Sequence, residues 1–390
     1  MTALAIVHDW LTGMRGGEKA LEVLCERFPD AELFTLVHVR GSVSPVIERL
    51  APHTSLLQHL PMIRRYYRQC LPLFPTAVEQ FDFDRFDLVL SVSHCCVKSV
   101  IRPGHARHIC YCLTPMRYAW DQRDAYFGPA RLGTIGSAVM RRVMARLARW
   151  DRDTAGRPDR YVAISHYVAE RIRRYYNREA TVLYPPVDTD FFTPDRTNPE
   201  RFALVVSALV PYKRVDLAIE GCRLAQVPLK VVGTGPDRPA LERLANGSAQ
   251  FLGRASDADI RELYRRAAVV LLPGEEDFGI VPLEAQACGR PVVALGRGGA
   301  LETVIAGETG FLVDEPEAET FAAAIARACD HRFDVAAIRR HAERFSRTRF
   351  GDEMQDLIGA AMRTSGPSAN EPGANGPRGN GSRATGSGAC

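Results

Sequence analysis

The segment 269–295, VVLLPGEEDFGIVPLEAQACGRPVVAL, leaves few folds open to this chain. Two short apolar runs, 269–272 and 291–295, read as buried strands. Between them lie a Pro273-Gly274 turn, an acidic loop and a helix. Pro282 suits the first turn of that helix, because its fixed φ is already helical and its missing N–H had no intrahelical acceptor. Gly289 can take the left-handed conformation that ends it. Strand, helix, strand in so short a span is half of a parallel α/β unit, and such sheets bind ligands at their strand-to-helix loops.

Glu276 and Glu284 bracket this loop, the first on the loop and the second in the first turn of the expected helix. Between them Gly279 lets a backbone approach a ligand. The amides of Phe278, Gly279, Ile280 and Val281 stand at the helix start, where free donors and the helix dipole attract phosphate. The loop therefore offers an anion site flanked by two carboxylates able to hold sugar hydroxyls. Taken singly, Glu276 also reads as a solvated turn residue and Glu284 as a complement to the helix dipole.

The pattern recurs in both halves of the chain. A strand over 3–10 leads to a Gly-rich loop ending in Gly16-Gly17, then a helix from Glu18. A strand over 87–93 is followed by His94, and another beginning at His108 runs into a polar aromatic loop with Thr114 and Arg117. The last strand of the first half is 161–165. In the second half a strand over 202–207 precedes Lys213 and Arg214 at a helix start, a position suited to a diphosphate. Gly233 and Gly235 close the strand 229–232, as tight turns or as ligand contacts. At 390 residues the chain is long enough for two cores. The boundaries read as 1–187 for a first domain, 188–344 for a second, a returning helix over 345–362, and a Gly/Pro/Ser-rich disordered tail over 363–390 ending in a free Cys390.

Composition excludes other classes. Apolar content of 46% and charge of 25% are those of a water-soluble globular protein, and no run reaches the apolar length of a membrane helix. The chain enters a strand at once, with no basic n-region, so no signal peptide is expected. The ten cysteines show no framework; Cys95-Cys96 and Cys110-x-Cys112 sit in apolar runs and read as reduced buried thiols of a cytoplasmic protein. Net charge is +4 with the basic residues scattered, against a nucleic-acid partner. Of the fifty cations only Lys19, Lys98, Lys213 and Lys230 are lysine. Arginines concentrate in 63–74 (IRRYYRQCLPLF) and in 136–152, an amphipathic helix carrying Val139, Val143, Leu147 and Trp150 on one stripe. Such a helix can lie on an anionic membrane; the alternative is a core-packed helix with a solvated basic face. Four Asp-x-Asp pairs occur, too many and too short a motif to mark a metal site, so no metal is expected.

Glu276 and Glu284 with seven residues between them resemble the E-x7-E segment of the retaining glycosyltransferases of family 4, and the likeness extends over residues 3 to about 362. It implies the GT-B fold: two Rossmann-like doubly wound domains facing a cleft, with a C-terminal helix crossing back. Within the family the chain is similar to a bacterial exopolysaccharide and O-antigen mannosyltransferase subgroup. The resemblance implies that Glu276 holds the donor sugar and Glu284 the ribose, that Lys213 neutralises the leaving diphosphate, and that Gly16 and Gly17 reach the donor from across the cleft. It departs from the family at Ala208, where the arginine of an Arg-x4-Lys pair stands, and at Leu113-Thr114, where many members place a histidine. Arg214 stands in for the arginine or Lys213 acts alone; His94 and His108 are the histidine candidates, each also readable as structural. The implied activity is transfer of a hexosyl group, mannose from GDP-mannose favoured, to a glycan or lipid-linked acceptor in cell-surface polysaccharide synthesis. The implied location is the cytoplasm, peripheral on the inner face of the membrane. The alternatives are a sugar phosphorylase or sucrose-type synthase of the same fold, and a non-catalytic nucleotide-sugar or glycan-binding protein.

Overall fold

In the computed structural model, which describes residues 2–121 and 129–363, the apolar runs form two parallel sheets. The first contains β1 (Leu4–Leu11), β2 (Glu32–His38), β3 (His53–Thr54), β4 (Leu88–Ser93), β5 (Arg107–Cys112), β6 (Arg160–Ala163) and β7 (Ala180–Val182). The second contains β8 (Glu200–Val206), β9 (Leu229–Val232), β10 (Ala249–Gly253), β11 (Ala267–Leu272), β12 (Val292–Leu295) and β13 (Gly310–Val313). Strand orders are β3-β2-β1-β4-β5-β6-β7 and β10-β9-β8-β11-β12-β13. Helices cover both faces of each sheet, which is why β1 is buried at every position and its register sets Ile6 between Leu33 and Leu90.

Strand order reverses beside β1 in the first sheet and beside β8 in the second. At such a switch point the loops leaving neighbouring strands diverge and open a crevice. The loops concerned follow β1 and β4, with Gly16 and His94, and β8 and β11, with Lys213 and Glu276.

Two apolar cores flank each sheet. The last helix, Arg347–Arg363, crosses back to the first domain, burying Phe350, Met354 and Ile358 in the core that holds Tyr111 and Leu21. Its Arg347 binds Glu22 at 3.0 Å and Glu26 at 2.8 Å. Arg363, the first residue of the expected disordered tail, instead ends this helix, and the rest of that tail with Cys390 lies outside the described residues. The nine described cysteines are unpaired, seven of them buried. Among the described residues no helix is long and apolar enough to cross a membrane.

The segment 63–74 forms short helical turns, Ile63–Tyr66 and Tyr67–Leu73. The expected amphipathic helix is longer, Pro129–Asp153, with a break at Gly133 (φ 68). Its buried line also differs: Met144, Leu147 and Asp151 face the core while Val139 is 53% exposed. Trp120 and Tyr176 both donate to Asp151 at 2.8 Å, and Lys98 lies 3.0 Å from it, which draws that line inward. The helix is therefore core-packed, and Arg141, Arg142, Arg146 and Arg149 occupy its exposed face.

Candidate functional site

Lys213 and Glu276 meet in the crevice of the second domain as an ion pair, both side chains mostly buried. Lys213 ends a short turn after β8, and Glu276 lies on the loop after β11, so the parallel register of β8 and β11 brings them together. The amide of Gly299 donates to the Glu276 carbonyl at 2.8 Å, which fixes the loop. Arg117, from the first domain, and Lys213 flank the same Tyr212 ring, at 5.4 and 5.0 Å from its centroid.

Arg214 does not join them. Its backbone takes a left-handed φ of 49°, and its guanidinium turns to Asp216 at 3.0 Å, two residues along. Ala208, at the family arginine's position, is exposed.

Glu284 lies in the second turn of helix Ile280–Ala287 rather than the first. It is buried, accepts from Tyr264 Oη at 3.1 Å, and is bridged at 2.8 Å by Lys19 from the first domain. Burial works against the Lys19 charge, but Glu284, and more weakly Asp257 and Asp188, hold its pKa above the ordinary value. Gly279 caps this helix at φ 99°, so the first-turn amides of Ile280 and Val281 lack intrahelical acceptors. A Cβ on Gly16 would stand 2.8 Å from Ile280 Cδ1: the first domain's glycine loop abuts the first turn of this helix. Gly17 faces Leu113 and His8 instead. Phe278 turns its ring into the domain junction, stacked on Tyr184 at 5.5 Å and tilted against Phe345 at 5.8 Å.

Gly233 and Gly235 are packing glycines. A Cβ there would meet the carbonyl oxygens of Ser207 at 1.8 Å and Leu209 at 2.1 Å, so the loops after β8 and β9 can pack only without side chains at these positions.

The two candidate histidines part. His94 follows the carboxyl end of β4, its Nδ1 3.1 Å from Asp9 and its ring 4.4 Å from Trp10. Burial keeps its pKa below the ordinary value despite Asp9. The expectation for His108 fails, because it is the second residue of β5, at the amino end, while the crevice lies at the carboxyl ends. It is fully buried, 2.8 Å from Ser91 Oγ, and burial and the nearby Arg102 and Lys98 push its pKa down to about 3. Thr114 accepts from Arg171 at 2.7 Å. Arg117 donates to Asp277 through Nε at 2.8 Å, and Arg171 through Nη1 at 2.6 Å. Burial acts to raise the Asp277 pKa, but the two guanidiniums hold it below the ordinary carboxylate value.

Sequence reasoning missed Lys19, Asp277 and Arg171, all of which bridge the domains. The scarcity of lysine was a signal for Lys19; Asp277 was hidden behind two more exposed acids, Glu275 and Glu276. Asp9 was missed too. It lies within metal-ligand distance of Cys95 and Cys96, but its two oxygens accept four amides, from His94 to Val97, at 2.7–3.0 Å. Those bonds occupy the lone pairs a cation would need, and make it a buried cap for the turn.

Two Rossmann-like parallel-sheet domains with facing switch points define the GT-B class of architecture. Residues 187–347 match the family model described as "Glycosyl transferases group 1". The chain is 36% identical over 237 residues to a D-inositol 3-phosphate glycosyltransferase of Geodermatophilus obscurus, covering 52% of this chain and 53% of that protein. It is 34% identical over 193 residues to a GDP-mannose-dependent alpha-(1-6)-phosphatidylinositol monomannoside mannosyltransferase of Mycolicibacterium smegmatis, covering 42% of this chain and 50% of that one. The chain thus spans about half the length of the curated relatives it matches. Among solved structures, Anabaena HepE in complex with UDP-glucose superposes with a TM-score of 0.65 at 19% identity, over 92% of this chain and 99% of that one. The likeness at that identity is one of fold.

Proposed function

We propose that this chain is a glycosyltransferase that moves a hexosyl group from a nucleotide-sugar to a glycan or lipid-linked acceptor, retaining anomeric configuration. The carrying observation is that Lys213 and Glu276 meet in one crevice, with the Gly16 loop opposite against Ile280. The chemistry asks for little else. Cleaving the sugar–phosphate bond builds negative charge on the leaving diphosphate, and preorganised cations and amides stabilise it. Lys213 and the first-turn amides of Ile280–Ala287 supply that charge; Glu276, released from Lys213 by the diphosphate, turns to the sugar hydroxyls. Glu284 takes the ribose hydroxyls as Lys19 gives way. Each Asp-x-Asp pair has local work, such as Asp151 with Lys98 and Asp259 with Ser256, so the reading assigns the charge to Lys213 rather than to a metal.

Mannose from GDP-mannose is the favoured donor, supported by the likeness to a protein described as GDP-mannose-dependent. The exposed arginines of Pro129–Asp153 with Val139 support a peripheral site on an anionic membrane and a role in cell-surface polysaccharide synthesis. One observation favours a second reading, a non-catalytic nucleotide-sugar binder: with alanine at 208 and Arg214 on Asp216, the crevice has one cation fewer than the family pattern.

A screen of nucleotide-sugars for thermal stabilisation, followed by turnover with membrane extract, separates them. GDP-mannose should give the largest shift and be consumed. Lys213→Ala should lower kcat by about 10²–10³, the usual loss for one transition-state donor. Stabilisation without turnover on any acceptor would overturn the enzymatic reading.

A further inference from the structure

A cavity of about 430 Å³ opens on the first domain beside the Gly16 loop, and all its lining residues belong to that domain. Arg15, Arg64, Arg65 and Arg68 line it, with Thr12 and Tyr67, and no carboxylate does. Elsewhere arginines of this chain are commonly paired: Arg171 with Asp277, Arg265 with Glu262, Arg347 with Glu22. Among the described residues none of these four has an acidic partner within ion-pair distance. Like charges gathered around one hollow repel each other unless an anion fills it. Guanidinium forks match phosphate oxygens, and the hydroxyls of Thr12 and Tyr67, 3.2 Å apart, add donors in the same wall. The volume is that of a small-molecule site.

Position gives the ligand its role. Thr12 follows the carboxyl end of β1, and Arg15 immediately precedes Gly16, which abuts Ile280 across the crevice. Tyr67 packs on Trp10 at 5.3 Å, and Trp10 on His94 at 4.4 Å, so the cavity adjoins the acceptor-side wall.

We propose that this cavity binds the phosphate or diphosphate of the acceptor, so that the acceptor substrate is a phosphate-bearing glycan or its lipid-linked form. This rests on the transferase reading above and adds the acceptor's chemical class to it. The experiment begins with the full chain saturated with GDP, so that the donor site is filled, and titrates inorganic pyrophosphate by calorimetry. A second binding event is expected. Arg64→Ala/Arg68→Ala, two exposed side chains, should weaken it at least about tenfold and leave GDP affinity unchanged. Transfer assays then compare a soluble glycosyl diphosphate with a polyprenyl-diphosphate glycan in phosphatidylcholine vesicles. Loss of turnover in the double variant on either acceptor supports the site, and the acceptor that the wild type uses identifies the source. No pyrophosphate binding beyond the GDP site, or binding untouched by the double variant, overturns it. Failure of GDP to bind at all would instead strike the transferase reading, since the arginine cavity is tested by pyrophosphate independently.

Discussion

Each of the four lysines has a defined partner. Lys19 holds Glu284, Lys213 holds Glu276, Lys98 is buried against Asp151, and Lys230 lies 3.9 Å from the Phe202 ring centroid. A lysine is a single flexible point charge, so a diphosphate can draw it from a carboxylate partner at modest cost, whereas a bidentate arginine pair resists exchange. His108 shows the opposite behaviour, a titratable group built to stay neutral. Its folded pKa of about 3 lies below the ordinary 6.5, so its contribution to stability is complete above pH 6.5 and is lost as pH falls from there toward 3. The slope is about 1.4 kcal/mol per pH unit. Thermal melts of the wild type should therefore fall between about pH 6.5 and about pH 5, and His108→Gln should flatten that part of the profile. Parallel profiles for the two proteins would refute the assignment.

At the scale of elements, the strand-end loops are held by glycines of two kinds. Gly235 has backbone on its open side, with the Leu209 oxygen, carbon and nitrogen at 2.1, 2.6 and 2.7 Å from an added Cβ. No rotamer change relieves that, so Gly235→Ala should destabilise the second domain by about 2–3 kcal/mol, read as a lower urea midpoint. Gly16 meets only the far end of Ile280, which can swing away. Gly16→Ala should cost under about 1 kcal/mol in the same assay, yet hinder closure and raise the donor KM. Equal losses in the two variants would contradict this distinction. Helix Ile280–Ala287 belongs with these loops: its Leu283 and the preceding Phe278 join the first domain's core cluster, so the helix whose first turn is the proposed anion site is also part of the junction.

For the whole molecule the question is what docks one domain on the other. Asp277 is gripped by Arg117 and Arg171, its carbonyl accepts from Ser165 Oγ at 2.6 Å, and Glu302 accepts the amides of His166 and Tyr167 at 2.9 and 3.1 Å. These contacts cap the start of helix His166–Tyr176 with groups from the second domain. Removing one partner of a buried pair leaves an unpaired charge, typically at a cost of 3–5 kcal/mol. Asp277→Asn should thus loosen docking, seen as a larger radius of gyration in solution scattering and faster proteolysis in segment 183–199. The same clasp depends on pH. With the Asp277 pKa depressed below 3.8, its contribution is present above that value and is lost as the pH falls through the folded value. Unchanged scattering in Asp277→Asn would show that the apolar junction of Phe278, Tyr184 and Phe345 holds the domains without it.

Much of this was written in local pattern. Apolar runs of strand length separated by glycine loops and capped helices admit only parallel sheets with helices on both faces. Strand-end loops then nominate Glu276, Lys213 and Gly16, because a parallel sheet places its ligands there whatever the rest of the chain does. What local pattern could not carry was any pairing between surfaces that fold separately. Lys19 finds Glu284 across 265 residues and Arg117 finds Asp277 across 160, and such contacts depend on how two finished domains dock. His108 and Arg214 failed for a related reason: a residue type beside a site motif does not tell which end of the strand it occupies or which neighbour its side chain reaches first. Those are properties of three-dimensional packing, in which burial sends His108 to Ser91 and a left-handed turn sends Arg214 to Asp216.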